Sequence, residues 1–148
     1  MPLSQGHFIF ALLYTKNKFK MEIFNIVALS LSGLLLFSVG VLRLTNPIKN
    51  YQKNSGITLA NDIDLLNEMK GVSAVMLFGG IIILLGILIP ALAMTSFVVA
   101  TLILFGFAVG RILSIFSDGK PNKQIIQGLS FEIVLGSANV FCLVEIWS

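Results

Sequence analysis

GVSAVMLFGGIIILLGILIPALAMTSFVVATLILFGFAVGRILSIF, residues 71–116, is the stretch that decides the fold of this protein. A helix needs about 20 predominantly apolar residues to cross the hydrocarbon core of a bilayer. The stretch contains two such runs, 71–89 and 92–116, and proline stops the first because it cannot continue a helix. Since the connection between the runs is only Ile-Pro-Ala-Leu, they predict a tight antiparallel hairpin of transmembrane helices.

A further apolar run lies on each side of this hairpin in the sequence. One occupies 23–44, and the other occupies 125–147 after the turn sequence Ser-Asp-Gly-Lys-Pro at 117–121. Trp147 suits the membrane–water interface at the end of the last run. The predicted fold class is therefore all-α, an integral membrane four-helix bundle with short loops that forms a single domain over 21–148.

The composition favours a membrane protein and excludes several other classes. Hydrophobic residues make up 56% of the 148 residues and charged residues 11%, against roughly 25% charged in an ordinary soluble domain. The formal charge of +3 is small and lies in the loops, so no nucleic-acid partner is predicted. A single cysteine, Cys142, and a single histidine, His7, exclude an intrachain disulfide, a bis-histidine haem and a His/Cys metal cluster. No cofactor and no catalytic activity are predicted, because no motif of known chemistry occurs.

Two segments outside the apolar runs need separate interpretation. Residues 1–20 contain an apolar stretch too short to span a bilayer, followed by three lysines. Either Met21 is the natural start of the protein, or residues 1–20 lie on the membrane surface. The 45–69 connection is long enough for a short amphipathic helix that begins at Asn61-Asp62. The apolar side of that helix would consist of Ile63, Leu65, Leu66 and Met69.

Lysines and arginines predict the orientation of the spans, because positively charged loops stay on the cytoplasmic side. The 45–70 connection, the 117–123 turn and Arg43 place positive charges at one end of the bundle. The connection between the second and third spans and the C-terminus carry none. Only the N-terminal lysines Lys16, Lys18 and Lys20 oppose this orientation, and they are absent if Met21 is the start. We therefore expect both charged loops in the cytoplasm, both termini outside it, and the protein in the cytoplasmic (inner) membrane of a bacterium.

Arg111 lies inside the third span, about 7–8 Å from its end at 1.5 Å per residue, where inserting an arginine costs about 2.5–3.5 kcal/mol. Helical side chains lean toward the N-terminus of their own helix. For Arg111 this direction is deeper into the membrane, and for Glu132 in the antiparallel fourth span it is back toward the same loop. The two side chains converge, which predicts an Arg111–Glu132 ion pair. The alternative is that both reach outward to the headgroups.

A wider polar site, the predicted cup, is one of two interpretations of the charged residues at the same end of the bundle. Its candidate residues are Arg43, Glu68, Lys70, Arg111, Asp118 and Glu132. Such a site would receive a ligand headgroup, a proton or the tail of a partner protein. The favoured interpretation is that only Arg111 and Glu132 are buried and that the others form an interfacial fringe. Asn139, deeper in the fourth span, is predicted to hydrogen-bond to a neighbouring helix.

Glycines recur on every span at spacings that allow helices to approach closely. On the fourth span Gly128 and Gly136 lie on one stripe with Glu132. On the third, Gly106-x-x-x-Gly110 matches the small-x-x-x-small pattern of packed membrane helices. The predicted packing positions are Gly79, Gly86, Gly106, Gly110, Gly128 and Gly136.

Three features carry a resemblance to a known family: EMKGVSAVMLFGG at 68–80, GRILSIFSDGKP at 110–121, and a glutamate early in the last span. They resemble the family catalogued as domain of unknown function 4345, short bacterial four-span membrane proteins. The resemblance covers 23–147. Its pattern maps onto Gly79, Gly80, Arg111, Ser114, Asp118, Gly119, Pro121 and Glu132. It implies the four-span fold and leaves the activity unassigned.

Three functions remain compatible with these observations. The first is a non-catalytic accessory or interaction subunit in the lipid bilayer, whose partners are copies of itself or other membrane proteins. The second is a small homo-oligomeric transporter in which Glu132 responds to protons or cations. The third is a lipid-handling protein that uses the predicted cup. The first is favoured, because the loops are short and no nucleophile stands at helical spacing from a base.

Overall fold

The computed structural model describes the backbone of residues 5–147 and the side chains of residues 16 and 18–147. Within this range the chain forms five α-helices and one short 3₁₀ turn. They are α1 (Gln5–Thr45), α2 (Pro47–Ser55), α3 (Ile63–Leu88), the 3₁₀ turn (Pro90–Leu92), α4 (Ala93–Asp118) and α5 (Lys123–Trp147). Four helical segments are long and apolar enough to cross a bilayer: Lys18–Thr45, Ile63–Leu88, Pro90–Asp118 and Lys123–Trp147. The predicted all-α membrane fold is therefore confirmed.

α1 begins earlier than the predicted first span. The helix is uninterrupted from Gln5 to Thr45, so the backbone of residues 5–20 continues the span as one element. The natural start at Met21 stays a prediction, and residues 1–4 lie outside the described range.

The short amphipathic helix between the first two spans lies earlier than predicted. Asp62 does begin a helix, since its Oδ1 accepts a hydrogen bond from the Leu65 N–H at 2.8 Å. That helix is α3, which continues into the second span because no glycine or proline precedes Gly71 to end it. The separate helix is α2, which Asn46 caps and which has Pro47 at its first position. The predicted position is therefore wrong.

The four spans pack around a common core in the order α1, α3, α4, α5. Packing is closest between α1 and α3, where a Cβ at Gly40 would lie 2.6 Å from the backbone nitrogen of Leu77. Gly80 of α3 approaches the backbone of Phe37 in the same way. The contact between α1 and α5 is the least extensive of the four neighbouring pairs, so the bundle is loosest along that seam.

Four of the six predicted packing glycines contact another helix. A Cβ at Gly79 would overlap Ile103, one at Gly86 would overlap Ser96, one at Gly128 would overlap Arg111, and one at Gly136 would press on the Phe105 ring. The prediction is wrong within this bundle for Gly106 and Gly110, which are exposed with nothing within 4 Å of a Cβ. α4 turns Leu104 and Ala108 toward the core, and a position two residues further on points about 200° away.

The outward faces of the bundle are apolar. Leu102 is 71% exposed, Phe116 84% and Trp147 78%. Soluble monomers rarely expose contiguous apolar patches of this kind. These faces are suited to contact with acyl chains.

Candidate functional site

Arg111 and Glu132 form the ion pair that the antiparallel arrangement predicts. Arg111 Nη2 lies 3.1 Å from Glu132 Oε1, and the two side chains are 25% and 10% exposed. Arg111 Nη1 also donates a hydrogen bond of 3.3 Å to the carbonyl oxygen of Ile125. Because both partners of Arg111 lie on α5, these contacts tie the α4–α5 hairpin together within the spans.

Gly128 makes room for the guanidinium group of Arg111. It stands three residues after Ile125 and four before Glu132, so all three share one face of α5. A Cβ at Gly128 would overlap Arg111 Nη1. The absence of a side chain here therefore serves the ion pair.

Arg43, in the last turn of α1, is a second buried arginine at this end and is only 7% exposed. Its Nη2 donates a hydrogen bond of 2.7 Å to Ser55 Oγ, and its Cζ lies 4.2 Å from the centroid of the Tyr51 ring. Tyr51 and Ser55 are four residues apart on α2, so one face of this short helix meets Arg43. A cation–π contact of this type contributes about 0.5–2 kcal/mol, and more as the pair is desolvated.

Hydrogen bonds to two neighbours hold α2 over this end of the bundle. Asn50 Nδ2 donates to the carbonyl oxygen of Leu42 in α1 at 2.6 Å. Asn122 Nδ2, just before α5, donates to the carbonyl oxygen of Ser55 at 2.8 Å. Because α2 is held from both sides, the groups that contact Arg43 are fixed in place.

A cavity of about 240 Å³ opens between α1 and α5, and we call it the α1–α5 cleft. Arg43, Arg111 and Glu132 line it together. Its other polar lining residues are Asn54, Ser55, Gln124 and Gln127, and its apolar ones include Leu35, Leu36, Val39, Met76, Leu104, Phe107 and Phe131. Since Gln127 and Phe131 are exposed, the cleft is open along the outer side of the bundle.

A second cavity, of about 310 Å³, lies on the loop side of the same arginines. It shares Arg43, Ser55, Phe107 and Arg111 with the α1–α5 cleft. Its other lining residues are Tyr51, Ile57, Val72, Gly110, Ser114, Pro121 and Ile125. Both arginine side chains therefore line two cavities.

The charges that line the α1–α5 cleft do not balance. Two guanidinium groups accompany one carboxylate, so the ionised groups sum to one positive charge (two minus one). Arg43 Nε and Glu132 Oε2 are buried and have no hydrogen-bond partner among the described residues. Leaving a buried donor or acceptor unpaired costs about 1–3 kcal/mol, and more for a charged group. The excess positive charge of the lining therefore favours an anionic occupant of the cleft.

Three residues of the predicted cup lie outside the site. Glu68, Lys70 and Asp118 are exposed, and they line neither the α1–α5 cleft nor the second cavity. Asp118 Oδ2 instead accepts a hydrogen bond of 2.9 Å from Ser114 Oγ. Their inclusion is wrong because they belong to the water-facing ends of α3 and α4.

Asn139 makes the interhelical hydrogen bond that the sequence predicts. It is fully buried, and its Nδ2 donates to Ser32 Oγ of α1 at 2.7 Å and to the carbonyl oxygen of Leu135 at 2.7 Å. Ser32 lies about 16 Å along α1 from Arg43 at 1.5 Å per residue. The α1–α5 seam is thus bonded at depth and open nearer the loops.

Sequence reasoning missed the environment of Arg43. The interpretation in which only Arg111 and Glu132 are buried holds for Glu68, Lys70 and Asp118, which are exposed. It is wrong for Arg43, which is buried beside the pair. The signal for its partners is present, since Asn46-Pro47 is a helix start and Tyr51 and Ser55 follow it on one helical face.

The groups that line the cleft are suited to binding. Guanidinium, amide and hydroxyl groups hold anions and polar headgroups through charge-assisted and neutral hydrogen bonds. Within the described part of the chain, no group of three or more His, Cys, Asp or Glu side chains is placed to hold a metal ion.

A comparison with protein-family models matches residues 24–143 to Domain of unknown function (DUF4345). The chain belongs to the DUF4345 family. The match confirms the resemblance noted in the sequence, and it includes every residue that lines the α1–α5 cleft. No significant match was found among curated proteins or among solved structures. The DUF4345 description assigns no activity, so the function is inferred from the site.

Proposed function

We propose that this DUF4345 protein is a non-catalytic membrane protein that binds a singly charged anionic group in the α1–α5 cleft. The observation that carries the proposal is the excess of guanidinium over carboxylate around one cavity. Arg111 is paired with Glu132, whereas Arg43 contacts neutral groups, Ser55 Oγ and the Tyr51 ring. An anion between the two arginines would neutralise the remaining charge.

Other residues of the protein already hold both arginine side chains of the cleft in position. Arginine offers a planar fork of donors that matches carboxylate and phosphate oxygens. Arg43 is held by α2, and Arg111 is held by Glu132 and the Ile125 carbonyl. Because the side chains are already ordered, little rotamer entropy remains to be lost on binding. This order supports a binding role for the site.

The test is thermal unfolding of the purified protein in detergent, with inorganic phosphate added and chloride of equal ionic strength as the reference. Arg43→Gln removes one positive charge from the cleft, and Lys120→Gln removes one from an exposed loop as the matched control. We expect phosphate to raise the unfolding midpoint of the wild type and of Lys120→Gln, but not of Arg43→Gln. An equal rise in all three proteins would contradict the proposal.

An accessory or interaction role is a second proposal, and it rests on the outer face of α4. Gly106 and Gly110 are exposed there, beside Leu102, Val109 and Leu113. A small-x-x-x-small face lets another membrane helix approach closely, which suits a second copy of this chain or another membrane protein. No residue of this face lines the α1–α5 cleft, although Gly110 lines the second cavity. The two roles are therefore compatible.

Disulfide cross-linking in membranes tests the assembly proposal. Gly106→Cys is expected to give a covalent dimer under mild oxidation if the α4 face joins two copies. Val75→Cys, which is 61% exposed on α3, is the matched control and is expected to remain monomeric. Equal cross-linking of the two variants would argue against a specific α4 interface.

We also propose a bacterial cytoplasmic membrane location, with the cleft end of the bundle facing the cytoplasm. Lys49, Lys53, Lys120 and Lys123 are exposed at that end, against Lys16, Lys18 and Lys20 toward the N-terminal end of α1. The larger number at the cleft end supports this orientation by the positive-inside rule. A Lys120→Cys variant is expected to resist a membrane-impermeant maleimide in intact cells and to react once the cells are permeabilised. Labelling of intact cells would reverse the orientation.

A further inference from the structure

We infer that the anion bound in the α1–α5 cleft is the headgroup of a glycerophospholipid of the phosphatidylglycerol class, whose acyl chain lies along the seam between α1 and α5. This inference rests on the proposed function, because it specifies the ligand of the same site. It is carried by the polarity of the lining, by the side on which the cleft opens, and by the charges at its polar end.

The lining of the cleft becomes apolar along α1 with distance from the loops. Arg43 stands at the loop end, Val39 follows one turn deeper, and Leu35 follows about 12 Å from Arg43 at 1.5 Å per residue. This is the order of a lipid in its leaflet, with the headgroup at the interface and the chain toward the midplane.

The other two long walls show the same gradient. With distance from the loops, the lining residues of α4 change from Arg111 to Phe107 and Leu104, and those of α5 change from Gln124 to Phe131. Glu132 is the one charged lining residue at this depth, and its carboxylate is paired with the guanidinium group of Arg111. A small soluble anion makes no favourable contact with an apolar wall of this length, whereas an acyl chain packs against it.

The cleft opens toward lipid. Phe131 at its rim is 61% exposed on the outer side of the bundle. The α1–α5 contact is the least extensive among neighbouring spans. A lipid therefore reaches the arginines by sliding sideways from the bilayer, with its chain remaining in an apolar environment throughout.

Charge selects the headgroup. One excess positive charge in the cleft complements the single negative charge of a phosphodiester. Guanidinium groups such as those of Arg43 and Arg111 bind phosphate oxygens through charge-assisted hydrogen bonds. Phosphatidylglycerol carries one net negative charge, because its glycerol head is neutral. Phosphatidylcholine carries no net charge.

The experiment compares three additives on the purified protein in detergent micelles: dioleoylphosphatidylglycerol, dioleoylphosphatidylcholine and inorganic phosphate. Thermal unfolding midpoints over a titration give the apparent affinities. We expect phosphatidylglycerol to act at concentrations about tenfold below both phosphatidylcholine and phosphate. A phosphate response without preference for phosphatidylglycerol overturns the lipid inference and leaves the proposed function standing. No response to either anion overturns both.

A pair of variants separates the acyl-chain wall from the anion site. Val39→Phe fills the apolar part of the cleft, and Leu34→Phe makes the same kind of change on the outward face of α1, where Leu34 is 56% exposed. Val39→Phe is expected to weaken phosphatidylglycerol about tenfold and to keep the phosphate response, which also reports that it folds. Unchanged phosphatidylglycerol affinity in that variant overturns the inference. If Val39→Phe does not fold, the comparison of additives on the wild type decides.

Discussion

Removing one or both members of the Arg111–Glu132 pair tests the energetics of the site. Arg111→Leu strands the Glu132 carboxylate, because Oε1 loses its partner at 3.1 Å and Oε2 has none among the described residues. Breaking a buried ion pair by removing one partner costs about 3–5 kcal/mol. Arg43 lines the same cleft and supplies residual positive charge, and Arg111 is 25% exposed. We therefore expect a loss near the lower end, about 3 kcal/mol.

The double variant distinguishes the ion pair from simple packing. Arg111→Leu with Glu132→Leu replaces both charges by an apolar contact, and its free energy of unfolding is expected to lie within about 1 kcal/mol of the wild type. Unfolding of both single variants, the double variant and the wild type by a denaturing detergent in mixed micelles gives the coupling energy. A double variant that loses the sum of the two single losses would show no coupling. It would refute the buried pair.

Two further predictions follow from the glycines. Gly40→Ala is expected to lower the free energy of unfolding by about 1–3 kcal/mol, because the new Cβ would lie 2.6 Å from the Leu77 backbone nitrogen. Gly71→Ala is the control, because nothing lies within 4 Å of a Cβ at that position. Equal losses of unfolding free energy in the two variants under the same assay would contradict this packing. Gly128→Ala displaces the Arg111 guanidinium and is expected to reduce the phosphate-induced rise in the thermal midpoint; an undiminished rise would mean that Arg111 does not hold the anion.

The fold was predictable because few backbone conformations are stable in lipid. A backbone in hydrocarbon must satisfy its own polar groups, so an apolar run of about 20 residues forms a helix. Helix boundaries outside the hydrocarbon were less predictable. The cap at Asp62 is present, but with no breaker before Gly71 it begins the second span itself.

Part of the site was predictable for a geometric reason. Arg111 and Glu132 lie on consecutive antiparallel helices joined by a short turn, which fixes how the two helices align. Arg43 receives its partners from α2, whose position depends on long-range hydrogen bonds such as that from Asn122 to the Ser55 carbonyl. No local pattern reveals such a bond.

The direction in which a helix face points was the other unpredictable feature. The spacing of Gly106 and Gly110 defines one face of α4, but it does not say whether that face meets the core or the lipid. Leu104 and Ala108 occupy the core side, and only the packing of the complete bundle decides between the two.

The hydrogen bond from Asn139 to Ser32 limits how much of a lipid this molecule can hold. Measured along α1, it closes the gap about 16 Å below Arg43, so a long hydrocarbon tail must bend away from the protein beyond that depth. A bound lipid therefore keeps one portion among its neighbours in the leaflet.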